Sequence, residues 1–417
     1  MPNFKFLHAA DIHLDSPLRG LSRYEGVPAD EVRLATRTAL NNLVAAAIAE
    51  AVAFVVIAGD LYDGDWPHFG TGLFFCAAMG RLDKAGIEVF LLYGNHDAES
   101  VLTRKLPLPP NVRVFGTRKA ATLVHEATGT ALHGWSYREK DTRDNLSAGY
   151  PSALAGAFNI GVLHTALTGG RPPHAPYAPC APADLAAKGY DYWALGHVHD
   201  FEVVASAPHI VFPGNLQGRN IREVGAKGAV LVTVEDGAIT GPPRLIAMDA
   251  VRWARVEIDL ADVETEDELQ ARLRNGLTRT HDQQADGRPL VARVTFTGRT
   301  PLHGILSGGR PALREAVRGI AIAVSERLWV EKVELRTEPP VTTVDAAAND
   351  ELGGLLTEGV GDEGLAASLR MELSEFFAKI PPDLGGEEGL LATLRAGDVA
   401  GLITETAQAL GARLTAP

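Results

Sequence analysis

The sequence has only two cysteines, Cys76 and Cys180, among its 417 residues. Two cysteines provide neither a disulfide framework nor a zinc-binding spacing, so a reduced, cytoplasmic protein is expected. Long apolar runs are lacking too: the longest, Leu43 to Ala58, contains Glu50. No membrane span is therefore expected. Phe4 to Leu7 already has the pattern of a first strand, which argues against a secretory signal.

The chain also lacks a general excess of positive charge, because 52 acidic residues outweigh 39 basic ones for a net charge of −13. Such a balance argues against capture of nucleic acid by the whole surface. The acidic excess is uneven, however: residues 341–417 hold 13 acidic and 4 basic side chains. The rest of the chain is nearly balanced, so a nucleic-acid substrate is not excluded for it.

Apolar strands alternate with helical patterns in the first part of the chain. Residues 29–51 and 70–85 have helical spacing, and the run between them, Phe54 to Ala58, is continuously apolar. Continuous apolar strands between amphipathic helices indicate a buried, largely parallel sheet. Later strand-like segments, from Val112 to Val234, look more antiparallel. The predicted fold class is α/β, a layered α/β/β/α sandwich over residues 1–245.

The pattern of apolar and polar residues changes after this first domain. Residues 250–338 read as β-α-β-α-β, with a basic helix near 309–327, and predict a small α+β capping domain. Residues 341–417 follow two prolines and predict an acidic helical tail. One helical face of the tail would carry leucines and phenylalanines, from Leu365 to Phe377.

Polar side chains that bind metals follow several of the predicted strands. They are Asp11 and His13, then Asp60, then Asn95 with His96 and Asp97, then His164, and finally His197 and His199. Ligand sites of open α/β sheets form beyond the carboxyl ends of the strands, so these distant residues are predicted to converge. Glycine directly before Asp60, Asn95 and His197 allows a sharp backbone turn there.

The donor types fit two divalent cations. Carboxylate, amide oxygen and imidazole suit Mn²⁺, Fe²⁺ or Zn²⁺, and the lack of thiolates disfavours structural zinc. Taken singly, each motif can also be explained by a purely structural role. A lone histidine is usually a hydrogen-bonded core residue, and Gly94-Asn95-His96-Asp97 is typical of a turn. Five such motifs in this order, each after a strand, favour a metal site.

These motifs resemble those of the calcineurin-like metallophosphoesterases. Asp11-Ile12-His13-Leu14, the order of the other motifs and the trailing domain are similar to the SbcD and Mre-type nucleases, and Asp15-Ser16-Pro17 is similar to the YhaO-like branch. The resemblance implies a metal-dependent phosphodiesterase with two divalent cations, most often Mn²⁺, with Mg²⁺, Fe²⁺ or Zn²⁺ as alternatives. The expected reaction is 3′-to-5′ exonuclease digestion of DNA ends, with some endonuclease activity, in double-strand break repair.

The resemblance also implies roles for individual residues, with Asp60 as a bridging ligand. One cation would be held by Asp11, His13, Asp60 and His199, and the other by Asp60, Asn95, His164 and His197. His96 would stabilise the transition state and protonate the leaving oxygen, and Asp97 would orient His96. Archaeal and eukaryotic members often have histidine where this chain has Asp63. Here Asp63 would either bind water near the metals or cap the next helix.

Several alternatives stay open at this stage. Arg219 and Arg222 are the best candidates for contacts with DNA phosphates. A small-molecule phosphodiesterase or phosphatase is the alternative enzyme, and a non-catalytic scaffold is the third reading. The tail would dock an SMC-like coiled-coil ATPase or pack on its own domain. A homodimer is also left open.

Overall fold

The apolar strands form two large sheets in the computed structural model, which describes residues 2–18, 29–64, 69–99, 107–168, 175–340, 358, 361–377, 399–401, 403–404 and 406. The strands of the first sheet are β1 Phe4–Ala9, β2 Phe54–Ala58, β3 Glu88–Leu92, β4 Val112–Val114, β11 Gly228–Glu235, β12 Ala238–Ile239 and β13 Arg244–Ala247. Their order is β12-β11-β1-β2-β3-β4, and β13 also pairs with β11. Strands β1 to β4 are mutually parallel, whereas β11 runs antiparallel to β1.

The second sheet has six strands in the order β5-β6-β7-β8-β10-β9. They are β5 Ala121–His125, β6 Thr130–Gly134, β7 Phe158–His164, β8 Tyr192–Gly196, β9 Phe201–Ser206 and β10 His209–Pro213. The prediction that these later strands are antiparallel is wrong for the centre of the second sheet, because β6, β7, β8 and β10 are parallel neighbours. The long connections that follow β6 and β7 supply the crossovers that parallel pairing requires.

Helices cover the first sheet and connect the later strands. They are α1 Ala29–Arg33, α2 Ala35–Ala49, α3 Phe69–Lys84, α4 Asn95–Glu99, α5 Pro182–Ala186, α6 Glu266–Gln284, α7 His303–Gly308, α8 Arg310–Val324 and α9 Glu363–Phe377. Helix α2 forms where Ala, Leu and Val recur every three or four residues, and it buries Leu40, Leu43 and Ala47 on that face.

Two apolar layers enclose the first sheet. On one side Val55 and Leu91 pack with Leu43 of α2 and Phe75 of α3. On the other side the first sheet packs against Ile160, Val162 and Tyr192 of the second sheet. Because both faces of β2 are covered, every residue of that strand is buried, which explains its unbroken apolar sequence. The layered α/β prediction is therefore confirmed.

Contacts within the chain divide it into two units. The first comprises Met1–Arg255, Thr280–Ala292 and Arg327–Glu331, and the second comprises Val256–Arg279, Arg293–Glu326 and Lys332–Pro417. The domain boundaries given by the sequence stay a prediction.

The elements after residue 250 follow the predicted β-α-β-α-β order, with the short α7 added before α8. A third sheet has the order β14-β15-β16, with β14 Arg252–Asp259, β15 Leu290–Arg299 and β16 Leu328–Glu338. Gly276 of α6 lies so close to this sheet that a Cβ atom there would be 2.5 Å from Cδ1 of Ile258. Close packing of one helical face thus buries Leu273 and Leu277.

The predicted tail is described only in part. Helix α9 forms within it, with Leu365 exposed at 41% and Ala366 buried. Most of residues 341–417 lie outside the described residues. None of the helices in the described part of the chain combines the length and apolarity needed to cross a membrane.

Candidate metal centre

The candidate ligands follow the carboxyl ends of strands in both large sheets. Asp11 follows β1, Asp60 follows β2 and Asn95 follows β3, all in the first sheet. His164 ends β7 and His197 follows β8, in the second sheet. Parallel strands end at the same edge of a sheet, and the two sheets pack face to face, so one pocket collects side chains from both.

The backbone is left-handed at four of these residues, which are not glycines. The φ angles are 50° at Asp11, 43° at His13, 51° at Asp60 and 96° at His197. Hydrogen bonds hold this conformation: the N–H of Asp11 donates to the carbonyl of Gly59, and the N–H of His13 donates to that of Asp60, each at 3.0 Å. Such conformations cost on the order of 1–3 kcal/mol each and are concentrated at functional sites.

The glycines beside the ligands serve two different purposes. Gly59 has a φ of +98°, so it provides the sharp turn that the sequence suggests. All three glycines also provide space: a Cβ atom at Gly59 would lie 2.3 Å from Nδ1 of His164. A Cβ atom at Gly94 would lie 2.3 Å from Oδ1 of Asp60, and one at Gly196 would lie 2.0 Å from the carbonyl oxygen of Ala58.

Asp11, His13 and His199 form the first ligand group. Nε2 of His199 lies 3.6 Å from Oδ1 of Asp11 and 3.4 Å from Nε2 of His13. Asp11 and His13 are fully buried, with about 1% of their surfaces exposed. Among the described residues, Oδ1 of Asp11 has no hydrogen-bond donor. A buried carboxylate oxygen without a donor, facing two imidazole nitrogens, fits a cation site.

Asp60, His164 and His197 form a second group, in which one ligand atom of each residue lies within 4.8 Å of the others. Nε2 of His164 is 3.4 Å from Oδ2 of Asp60 and 3.1 Å from Oδ1 of Asn95. The predicted amide ligand Asn95 is therefore next to this group.

Asp60 connects the two groups through a single oxygen. Its Oδ2 lies 3.9 Å from Nε2 of His13 and 3.4 Å from Nε2 of His164. Its other oxygen accepts a hydrogen bond from the backbone N–H of His96 at 2.9 Å, which fixes the carboxylate. The other six residues predicted as ligands are thus gathered around Asp60, an arrangement suited to two cations that share one carboxylate.

Burial and charge set the protonation of the ligands. Burial, reinforced by Arg219, lowers the pKa of His13 to about 3, so its ring is neutral. Burial alone would lower the pKa of His164 as well, but the Asp60 carboxylate outweighs it and raises the pKa to about 9. A cation beside Asp60 would remove that stabilisation and favour neutral His164 as a ligand.

Hydrogen bonds from outside the ligand set orient the imidazoles. Nδ1 of His199 lies 2.7 Å from Oε1 of Glu223, so Nε2 faces the first group. Nδ1 of His164 lies 2.9 Å from the carbonyl oxygen of Ala58. Nε2 of His197 lies 2.8 Å from the carbonyl oxygen of Ala175, which leaves its Nδ1 toward the second group. Partners of this kind fix the tautomer and ring plane of a metal ligand.

Sequence reasoning missed Glu223. It lies in the loop after β10 and is 8% exposed, and its Oε2 accepts from Nδ2 of Asn215 at 2.9 Å. The turn Pro213-Gly214-Asn215 was the only local signal that this loop returns to the site. No spacing in the sequence connects Glu223 with His199.

The carboxylate of Asp97 lies against the backbone of two loops, and its predicted role of orienting His96 stays a prediction. Its carboxylate accepts backbone N–H groups of Leu61, Tyr62 and Gly94 at 3.1, 2.9 and 3.0 Å. Asp97 therefore joins the loops after β2 and β3. Burial, reinforced by Asp60, raises the pKa of Asp97 to about 7.

Asp63 is the carboxylate that lies beside His96. Its Oδ1 is 3.4 Å from Nδ1 of His96 and 3.4 Å from Nδ1 of His13, while Oδ2 accepts from Oγ of Ser16 at 2.8 Å. The helix-capping alternative depends on residues 65–68, which lie outside the described residues. His96 has a side chain that is 34% exposed, so it lies at the rim of the pocket.

The two arginines predicted to bind DNA have different surroundings. Arg219 is largely buried, with 16% of its side chain exposed, and lies beside Asp63 and Glu223. Arg222 is exposed. Contact with DNA stays a prediction for both.

Comparisons with known proteins agree with this geometry. The calcineurin-like phosphoesterase family matches residues 4–201, and the middle domain of the metallophosphoesterase YhaO matches residues 253–338. The uncharacterized metallophosphoesterase YhaO of Bacillus subtilis is 30% identical over 81% of this chain and 83% of its own length. The chain belongs to the calcineurin-like metallophosphoesterases, which makes it a member of a phosphoesterase hydrolase family. The resemblance to the YhaO-like branch is confirmed.

More distant similarities extend the comparison. The DNA double-strand break repair protein Mre11 of Methanopyrus kandleri is 25% identical over 93% of this chain and 86% of its own length. The crystal structure of a dimetal phosphatase from Danio rerio has a TM-score of 0.34 and 14% identity, covering 57% of this chain and 94% of that chain.

Proposed function

We propose that this protein hydrolyses phosphodiester bonds of DNA with two divalent cations, normally Mn²⁺, and digests DNA ends as a 3′-to-5′ exonuclease with some endonuclease activity. The observation that carries the proposal is the convergence of both ligand groups on Oδ2 of Asp60. Asp11, His13, Asp60 and His199 would hold one cation, and Asp60, Asn95, His164 and His197 the other.

When bound, the cation pair would neutralise phosphate charge and lower the pKa of coordinated water. Residues of the chain orient the ligands and deliver the proton. Glu223 bonds Nδ1 of His199 and keeps its Nε2 atom toward the site, and Asp63 lies 3.4 Å from Nδ1 of His13. His96 has Asp63 near its Nδ1 atom, so its Nε2 atom is the one suited to deliver a proton to the leaving oxygen.

Two observations support DNA as the substrate. The similarity to a protein named for DNA double-strand break repair extends over 93% of this chain, well beyond the part that carries the metal centre. Outside the acidic tail the chain is nearly balanced in charge, which does not oppose a polyanionic substrate. We infer a role in double-strand break repair.

The proposal also includes protein partners. We infer that the acidic tail docks an SMC-like coiled-coil ATPase, with the helix α9 presenting apolar residues such as the exposed Leu365. Homodimerisation is a further expectation of this proposal.

The experiment that tests the function is digestion of duplex DNA labelled at either the 3′ or the 5′ end, with Mn²⁺. We expect early release of a 3′ label as mononucleotide, and loss of this activity in Asp60→Asn, which removes the shared ligand. Asp262→Asn, at an exposed position, is the matched control. Turnover of a small aryl phosphodiester without any digestion of DNA would favour a small-molecule phosphodiesterase instead.

His96→Asn separates proton delivery from cation binding. We expect a decrease in turnover on the order of 10²–10⁴-fold, the usual contribution of a positioned acid, with Mn²⁺ binding retained. Equal digestion by the variant and the unmodified protein would contradict the role of His96.

A further inference from the structure

The guanidinium of Arg219 lies between two carboxylates. Its Nη1 atom is 3.6 Å from Oδ1 of Asp63 and 3.3 Å from Oγ of Ser16. Its Nη2 atom is 3.5 Å from Oε1 of Glu223. With only 16% of the side chain exposed, these groups are its immediate environment.

Glu223 hydrogen-bonds a histidine of the first ligand group, and Asp63 lies beside a second histidine of that group. Glu223 lies 2.7 Å from Nδ1 of His199, and Asp63 lies 3.4 Å from Nδ1 of His13. The Nε2 atoms of the two histidines are 3.4 Å apart and both face Asp11. Arg219 therefore connects the two carboxylates beside one cation site.

The backbone around Arg219 fixes the direction of its side chain. The N–H of Arg219 donates to Oε2 of Glu223 at 2.7 Å, and Nε1 of Trp253 donates to the carbonyl of Gly218 at 2.9 Å. A Cβ atom at Gly218 would lie 2.6 Å from the carbonyl oxygen of Glu223, so the loop is tightly folded there. The guanidinium is thus held in place before any ligand arrives.

The charges around Arg219 also favour its placement between the two carboxylates. Arg219 lies 3.6 Å from Asp63 and 3.5 Å from Glu223, close enough for its positive charge to favour the ionised form of both carboxyls. Two ionised carboxylates close to one another repel, and a cation between them offsets the repulsion. The Nη1 atom of Arg219 donates to Oγ of Ser16, and among the described residues its buried Nε atom has no hydrogen-bond partner.

We propose that Arg219 is a positioning residue that holds Asp63 and Glu223 behind His13 and His199, and so sets the affinity of the cation site completed by Asp11. This assigns Arg219 to the metal centre instead of to DNA. The proposal rests on the cation dependence of the function proposed above, but not on its DNA substrate.

The first test is calorimetric titration of the full-length, metal-free protein with Mn²⁺. For Arg219→Gln we expect one of two binding events to weaken on the order of 10–100-fold, the usual effect of losing a partner of a metal ligand. Arg219→Lys keeps the charge but reaches only one carboxylate, so a smaller loss is expected. Arg118→Gln, at an exposed arginine, is the control and should titrate like the unmodified protein.

The second test is the salt dependence of binding of the metal-free protein to duplex DNA. A lost phosphate contact lowers the slope of log K against log salt by about one. We expect an unchanged slope for Arg219→Gln. A slope lowered by about one, together with unchanged Mn²⁺ titration, would overturn the proposal in favour of a phosphate contact.

The outcomes distinguish this proposal from the proposed function. Absence of DNA binding and digestion in every form would reject the DNA substrate, while the Mn²⁺ titration would still report on Arg219. If circular dichroism shows that Arg219→Gln does not fold, Arg219→Lys decides, and an unchanged Mn²⁺ affinity in that variant overturns the proposal.

Discussion

Glu223 lies 2.7 Å from Nδ1 of His199, although 24 positions separate the two residues in the chain. This contact turns Nε2 of His199 toward Asp11 and keeps the ring in one tautomer. The geometry of the first cation site thus depends on a residue that is not itself a ligand.

Replacing Glu223 by Gln should weaken the first cation site. Gln retains one acceptor for His199 but places an amide NH₂ group near the donors Nδ2 of Asn215 and N–H of Arg219. We expect Mn²⁺ affinity at one site to decrease on the order of 10–100-fold, measured by calorimetric titration. Glu235→Gln, at an exposed position, is the control. Two unchanged binding events would show that Glu223 does not support His199.

Replacing Asp97 by Asn should reduce stability as well as activity. Leu61 and Gly94 donate to one oxygen of Asp97 and Tyr62 to the other, so at least one of these N–H groups would face an NH₂ group in place of an acceptor. We expect a loss of about 1–3 kcal/mol in the free energy of unfolding, the cost of a buried polar group without a partner. Thermal denaturation beside Asp262→Asn measures it. A lower turnover at unchanged stability would instead support the orienting role toward His96.

Replacing Gly196 by Ala should damage the second cation site. The added Cβ atom would lie 2.0 Å from the carbonyl oxygen of Ala58 and 2.7 Å from Nδ1 of His164, which are hydrogen-bond partners. We expect a destabilisation of about 1–3 kcal/mol, together with weaker binding of one Mn²⁺ ion. Gly116→Ala is the matched control, because a Cβ atom there would have no neighbour within 4 Å among the described residues. Equal melting temperatures for the two variants would contradict the expectation.

Stability should decrease as the pH falls, partly because of His8. Burial lowers the pKa of His8 to about 3, and its ring bonds Tyr192 and the carbonyl of Leu195. An unfolded chain takes up a proton at His8 below pH ~6.5, whereas the folded chain does not, so this contribution is complete above pH ~6.5 and is lost as the pH falls toward 3.

The slope from this one group is at most about 1.4 kcal/mol per pH unit. Urea denaturation of the unmodified protein and of His8→Gln, between pH 7.5 and 5.5, measures it. The variant is expected to be less stable at pH 7.5 but to lose less stability on acidification. Parallel pH profiles for the two proteins would show that His8 is protonated in the folded state.

The sequence by itself determined the kinds of element and the kinds of ligand. Buried strands such as β2 are apolar throughout, and α2 repeats its apolar residues at helical spacing, because burial acts on each residue locally. Carboxylates and imidazoles after strand ends indicated a metal site for the same reason, since a strand end delivers its next side chain to the edge of the sheet.

Only the tertiary structure decided which groups meet. The direction of β6, β7 and β8 depends on crossovers between distant segments, and side-chain periodicity is the same in parallel and antiparallel strands. Asp97 has the sequence position of a partner for His96, yet the loops after β2 and β3 converge on its carboxylate. Glu223 and Arg219 reach the site through packing of the loop after β10, and hydrogen bonds across such distances leave no periodic trace in the sequence.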